Sequence, residues 1–173
     1  MGKWFEPPIG WEVLARSWRA SVHHASAIAV KRNILVCTFK PHPLLCRSDF
    51  AQRVTDYLVF GNLYALEVKN RLGRTTKLDP SPARFSRRGS DLESFCWVPS
   101  CNQEIQRDNV IHQIKYDINQ EIHGLPEYLS AMNSAWLNES ATLFRRKHYL
   151  NGSHAGFILY VSEASQNQAN PTR

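Results

Sequence analysis

The segment from Gly124 to Val161, GLPEYLSAMNSAWLNESATLFRRKHYLNGSHAGFILYV, constrains the fold more than any other part of this chain. It reads as a turn, a long helix, a sharp stop and a strand. Gly124 breaks the preceding structure, and Pro126 suits a first helical turn, where its missing N–H would have no intrahelical partner. Glu127 places a negative charge near the positive end of the helix dipole. Leu125, Leu129, Met132, Trp136, Leu143, Tyr149 and Leu150 recur at steps near three and four, which predicts an apolar stripe. Asn133, Asn138, Glu139 and Thr142 supply a polar side. Arg145, Arg146, Lys147 and His148 fall in the last turns, where cations favour the negative end of the dipole. Asn151-Gly152 predicts the stop, because both residues tolerate the left-handed conformation of a C-cap. Phe157 to Val161 is aromatic and β-branched and predicts a buried strand. A helix of about 24 residues would be about 36 Å long.

Upstream of this unit the periodicity divides into two regions. Pro7 and Pro8 extend the start. A short helix follows with Trp11, Leu14, Ala15 and Trp18 on one side. A second runs through Val22, Ala25, Ile28 and Ala29 and ends before Pro41. A third, capped by Ser48 and closed by Gly61, holds Phe50, Val54, Tyr57, Leu58 and Phe60. From Asn62 the pattern shifts to short strands: Asn62 to Val68, a turn at Asn70-Arg71-Leu72-Gly73, and Thr75 to Leu78, interrupted by Pro80 and Pro82. Further strands are expected over Ala83 to Arg87, Ser94 to Val98 and Val110 to Ile114. The fold class is α+β: a helical N-terminal part, a small irregular antiparallel β unit, and the long helix followed by a strand. One body is expected over 1–161, with 162–173, SEASQNQANPTR, as a disordered tail.

No arrangement of residues in the chain suits catalysis. There is no glycine-rich phosphate loop. The four cysteines, Cys37, Cys46, Cys96 and Cys101, form no CxxC pair and have no zinc-finger spacing, so no metal or other cofactor is expected. His23 and His24 are adjacent and diverge on a helix. His148, His154 and Ser153 lie near the helix end, but nothing orients a base or builds an oxyanion site around them. Asp117, Glu121 and Glu127 read as solvated carboxylates. These patterns describe a non-enzymatic part whose surface is its function.

The formal charge of +6 is concentrated. Between Glu67 and Arg88 lie seven basic residues, Lys69, Arg71, Arg74, Lys77, Arg84, Arg87 and Arg88, against Glu67 and Asp79. Such a region can meet nucleic-acid phosphates. It can equally be a solvated sheet edge whose cations discourage strand-to-strand aggregation. Few aromatics interleave with it, which favours the second reading. The apolar runs fall short of the roughly 18 to 20 residues needed to cross a bilayer, and MGKWFEPPIGW lacks a signal-peptide core; a soluble, cytoplasmic protein is expected.

Several stretches resemble a known family. Asp117 to Pro126 (DINQEIHGLP), Asn138-Glu139-Ser140-Ala141 and Tyr149 to Ser153 look like the portal (capsid connector) proteins of tailed phages, in the PBSX-type group. Phe5 to Pro8, His23 to Ala27, Val30 to Ile34 and Tyr57 to Asn62 agree in the same order, so the resemblance covers Phe5 to Val161. It implies a wing-like α+β domain of a subunit that self-associates as a ring (a dodecamer in the family) at a capsid vertex. It also implies partners: terminase, capsid and head-completion proteins, and double-stranded DNA passing through the channel. The setting implied is the virion vertex, or host cytoplasm during assembly or expression from a prophage remnant. Family members continue into a stem and a clip, so the resemblance further implies a C-terminally truncated, partial subunit.

Overall fold

A computed structural model describes residues 3–99 and 105–152. It is α+β, with four α-helices and two antiparallel sheets. By internal contacts the chain divides into a unit over Met1–Ser140 and a second over Ala141–Arg173.

The first unit opens with a short strand, β1 (Trp4–Phe5), followed by helices α1 (Trp11–Ser17), α2 (Val22–Thr38) and α3 (Arg47–Phe60). These are the three helices expected from the apolar spacing. The start of α3 differs by two positions: Cys46, not Ser48, is the N-cap. Ser48 instead lies inside the first turn, with its hydroxyl 2.8 Å from Cys46 Sγ. Gly61 ends α3 as predicted, in the left-handed conformation with φ of 69°, which a residue lacking Cβ adopts at little cost.

Beyond Gly61 run β2 (Asn62–Lys69), β3 (Thr75–Ser81), β4 (Ser86–Gly89), β5 (Phe95–Trp97), β6 (Ile105–Arg107) and β7 (Val110–Ile114). They form a three-stranded sheet in the order β3-β2-β7 and a four-stranded sheet in the order β1-β4-β5-β6. Pro80 does not interrupt β3; it pairs with Ala65 of β2. Because β3 is an edge strand, the missing proline N–H faces away from the ladder and costs no hydrogen bond. Pro82 does end the strand. The segment expected as a strand over Ala83 to Arg87 begins as a 3₁₀ turn, Ala83–Phe85, before β4. Asp56 on α3 fixes that turn by accepting the Ala83 N–H at 3.0 Å.

The core joins both regions. Trp11 and Leu14 from α1, Ile28 from α2, Val59 and Phe60 from α3, Tyr64 from β2, Ala83 and Met132 form one buried cluster. The Trp11 ring meets Phe60 edge-on, with centroids 5.5 Å apart, a favoured arrangement for aromatic quadrupoles.

The long helix is shorter than the 24-residue reading. Glu127–Ala131 is a 3₁₀ turn, and α4 spans Met132–Leu150. Met132 is buried, and Trp136 donates its Nε1–H to Ser17 Oγ at 3.1 Å. The stop is where the sequence places it, with Gly152 at φ of 83°. The second unit contributes the last turns of α4, in which every residue from Ala141 to Leu150 is exposed. The apolar stripe over Leu143 and Leu150 is therefore present as a pattern and unburied. The strand expected over Phe157 to Val161 and the tail expected over 162–173 lie outside the described residues.

Candidate functional site

The segment before α4 is held by a buried polar clasp. Asn62, the first residue after the α3 stop, is fully buried. Its Nδ2 donates to the Phe60 carbonyl at 2.7 Å and to the Gly124 carbonyl at 2.8 Å. Its Oδ1 accepts the Gly124 N–H at 2.9 Å and lies 3.0 Å from His112 Nε2. All four hydrogen-bonding positions of the amide are used, and the side chain mimics a peptide group towards Gly124. The partners fix the tautomer of His112: Asn62 Oδ1 can only accept, so Nε2 carries the proton.

Two glycines let the backbones meet. A Cβ on Gly124 would stand 2.2 Å from the Gly61 carbonyl oxygen, and one on Gly61 would stand 2.5 Å from the Leu125 carbonyl carbon. The Lys115 N–H donates to the Gly61 carbonyl at 2.8 Å beneath this crossing. The start of the α4 segment is thereby fixed against the α3–β2 junction.

The clasp continues into an aromatic cluster. His112 stacks on Tyr64, its cross-strand partner, with ring centroids 4.1 Å apart and planes 7° from parallel. Tyr64 OH lies 3.4 Å from His123 Nδ1, and His123 Nε2 lies 3.2 Å from the Phe5 carbonyl. The carbonyl accepts the Nε2 proton, leaving Nδ1 to accept from the tyrosine. Burial pushes His112 down to about 3, with the charges of His123 and Arg88 acting in the same direction. His123 is also lowered by burial, while its bond to Phe5 opposes the shift. Burial raises Tyr64. These groups are held neutral and sealed, which suits a structural clasp. Sequence reasoning missed them; the signal present was a polar Asn directly after a helix-stopping Gly at the head of an apolar strand.

The seven basic residues are divided between two parts of the β region. Lys69, Arg71, Arg74 and Lys77 belong to the β2–β3 hairpin; Arg84, Arg87 and Arg88 lie on the 3₁₀ turn and β4. Lys69 pairs with Glu67 at 3.3 Å and Lys77 with Asp79 at 2.6 Å. Arg84 pairs with Glu12, and Arg87 with Glu6 at 3.3 Å. Arg88 donates to the Leu92 carbonyl at 2.9 Å. Arg71 and Arg74 sit exposed at the hairpin tip.

Other candidates resolve similarly. His24 packs on Tyr128 with centroids 4.4 Å apart, while His23 is exposed. His148 lies on exposed α4, and Ser153 and His154 are outside the described residues. Glu127 bonds Lys31 at 3.1 Å and Lys115 at 3.0 Å, and both lysines lower its carboxyl. Asp117 Oδ1 accepts the Asn119 N–H at 2.9 Å, closing its own turn. Among the described residues no group of three or more His, Cys, Asp or Glu could hold a metal ion, and no helix is long and apolar enough to cross a membrane.

The surface carries more than the interior. Next to the clasp an open groove of about 490 Å³ is lined by Tyr116, Asp117, Leu125, Glu127 and Leu129. Tyr116 and Ile118 on its loop are 82% and 84% exposed. In the second unit Phe144 and Leu150 are 72% and 74% exposed. Exposed apolar side chains that lie together on a surface can serve as an interaction site.

No family model matches the chain. It is 53% identical over 169 residues to the probable portal protein of Escherichia phage P2, covering 96% of this chain and 49% of that protein. The chain is portal-like. It is 29% identical over 164 residues to the probable portal protein of Haemophilus phage HP1 (strain HP1c1), covering 91% of this chain and 48% of that one. The portal-like chain thus spans about half the length of the curated relatives it matches. Its fold recurs in solved gene transfer agent (GTA) particles. A chain of the neck of the empty particle, computed with C6 symmetry, superposes with a TM-score of 0.74 at 13% identity, covering 98% of this chain and 54% of that one. A chain of the native neck, computed with C12 symmetry, gives 0.73 at 13% identity, covering 98% and 53%.

Proposed function

We propose that the chain is a structural subunit of a phage portal ring at the capsid vertex, contributing a wing-like α+β domain to DNA packaging and head–tail connection. The 53% identity to the P2 probable portal protein over nearly the whole chain carries this reading. The cyclic symmetry of the GTA neck particles supports a ring. So does the unburied apolar surface of the last turns of α4, since a closed ring buries on a neighbour what one subunit leaves exposed. Its partners are then further copies of itself, terminase, capsid and head-completion proteins, and double-stranded DNA in transit. The chain does no chemistry of its own in this role. Light scattering on the purified chain tests it: the expected mass is one fixed multiple of 19.9 kDa, and a strict monomer across a wide concentration range would count against it.

A second reading has one observation in its favour. Arg71 and Arg74, exposed at a hairpin tip, suit a small nucleic-acid-binding protein that grips phosphates without base contacts. A titration showing no DNA or RNA binding at low salt removes it.

A further inference from the structure

We propose that the last turns of α4 of one copy dock into the groove beside Tyr116 of a neighbouring copy, which makes the self-contact head-to-tail. This rests on the ring reading above and specifies the two surfaces that meet.

The helix supplies an apolar face with a basic edge. At about 100° per residue, Leu143, Phe144, Lys147 and Leu150 share one side, and Arg146 borders it. Leu143, Phe144 and Leu150 are 48%, 72% and 74% exposed. Arg145, Arg146, Lys147 and His148 make this stretch cationic, with no acidic residue between Glu139 and the Asn151-Gly152 stop.

The groove supplies the complement. Leu125 and Leu129 are half-buried in its walls, and Tyr116 stands exposed on its loop beside Ile118. Asp117 lies on its rim, and Glu121 is exposed four residues further along the same loop. Lys115, which lines the groove, shares Glu127 with Lys31, at 3.0 and 3.1 Å; with Asp117 and Glu121 counted, three carboxylates face two lysines and leave this region one negative charge in excess. The clasp makes the groove rigid from behind, because Lys115, Gly124 and Leu125 are the residues that meet Gly61 and Asn62. A preformed apolar groove with an acidic rim selects a basic amphipathic helix, and opposite charge at the rim sets its orientation. The two patches differ, so their contact is heterologous, and a heterologous contact that closes generates a ring rather than a pair.

Charge reversal with sedimentation velocity on the full chain tests the docking. Arg146→Glu with Lys147→Glu should raise the concentration of half-association about tenfold or more, as should Asp117→Asn with Glu121→Lys. Glu121, Arg146 and Lys147 are exposed, and Asn at the half-buried position 117 keeps an acceptor for the Asn119 N–H; circular dichroism confirms folding of each variant. Combining the two sets in one chain should restore association towards the unaltered level. If either pair of substitutions leaves association unchanged while the chain still assembles, or if the combined variant is no better than the singles, the docking is wrong and the ring reading survives. If the unaltered chain is monomeric throughout, both fall.

Discussion

The side-chain amide of Asn62 exchanges hydrogen bonds with both backbone groups of Gly124, accepting its N–H at 2.9 Å and donating to its carbonyl at 2.8 Å across 62 positions of sequence. This two-point contact joins the end of α3 and the start of β2 to the segment that launches α4. It also fixes the back of the groove beside Tyr116.

Removing the amide should therefore be costly. Asn62→Leu leaves the Gly124 N–H, the Gly124 carbonyl and the Phe60 carbonyl buried without their partner, at about 1–3 kcal/mol each. A total near 3 kcal/mol or more is expected by urea unfolding. A loss below about 1 kcal/mol would show that the clasp contributes little to stability.

The glycine crossing predicts a graded series. Gly124→Ala must push the Gly61 carbonyl or the Lys115 backbone aside, since the new Cβ would stand 2.2 and 2.6 Å from them. Backbone cannot yield as a flexible side chain does, so several kcal/mol are expected, about 3 or more. Gly73→Ala has open space but sits at φ of 77°, so it should cost only about 1–2 kcal/mol. Gly10→Ala has neither problem and should change stability by less than about 1 kcal/mol. Thermal unfolding of the three variants gives the order directly.

Buried histidines give the protein an acid limit. His112 is held at about 3 and His123 is also lowered, below the unfolded value of 6.5. Between those values the unfolded chain binds more protons, so stability falls as pH drops from about 6.5 towards 3. Asp56 works the other way. Burial raises it to about 6, above its ordinary 3.8, so its contribution is full below that lower value and lost as pH rises through about 6. Asp56→Asn should accordingly steepen the acid-side loss, and His112→Gln should flatten it. Urea midpoints at a series of pH values from 4 to 8 check both signs.

The hairpin tip is the separable part of the basic run. Arg71→Ala with Arg74→Ala should reduce any non-specific DNA binding at low salt and lower the slope of log affinity against log salt by about 0.9 per phosphate contact removed. Arg84→Ala with Arg87→Ala should do less, because those two arginines are engaged by Glu12 and Glu6. Fluorescence anisotropy over a salt series distinguishes the pairs.

Local signals made much of this fold readable in the residues, and long-range ones did not. Apolar spacing and two stop signals, Gly61 and Asn151-Gly152, placed the first three helices and the end of α4, because helix periodicity is written in neighbouring residues; the start of α4 lies at Met132, six positions beyond Pro126, because the intervening turn is 3₁₀. Pro80 misled: whether a proline breaks a strand depends on which edge it faces, and that depends on the sheet. The two-residue strand β1 was missed because it exists only through pairing with Arg88 and Gly89. The clasp was missed for the same reason. Asn62, His112 and Gly124 are ordinary residues separately, and only the fold brings them together. The basic run looked continuous in sequence, yet the chain turns between Lys77 and Arg84 and gives most of its members acidic partners.

The most direct test of the account is electron microscopy of the purified full chain, with the rotational symmetry of end-on class averages as the readout. Closed rings sharing one rotational symmetry are predicted, and they should disappear in the Arg146→Glu, Lys147→Glu variant. A population of single 19.9 kDa particles at every concentration, with no ring in any class, would contradict it.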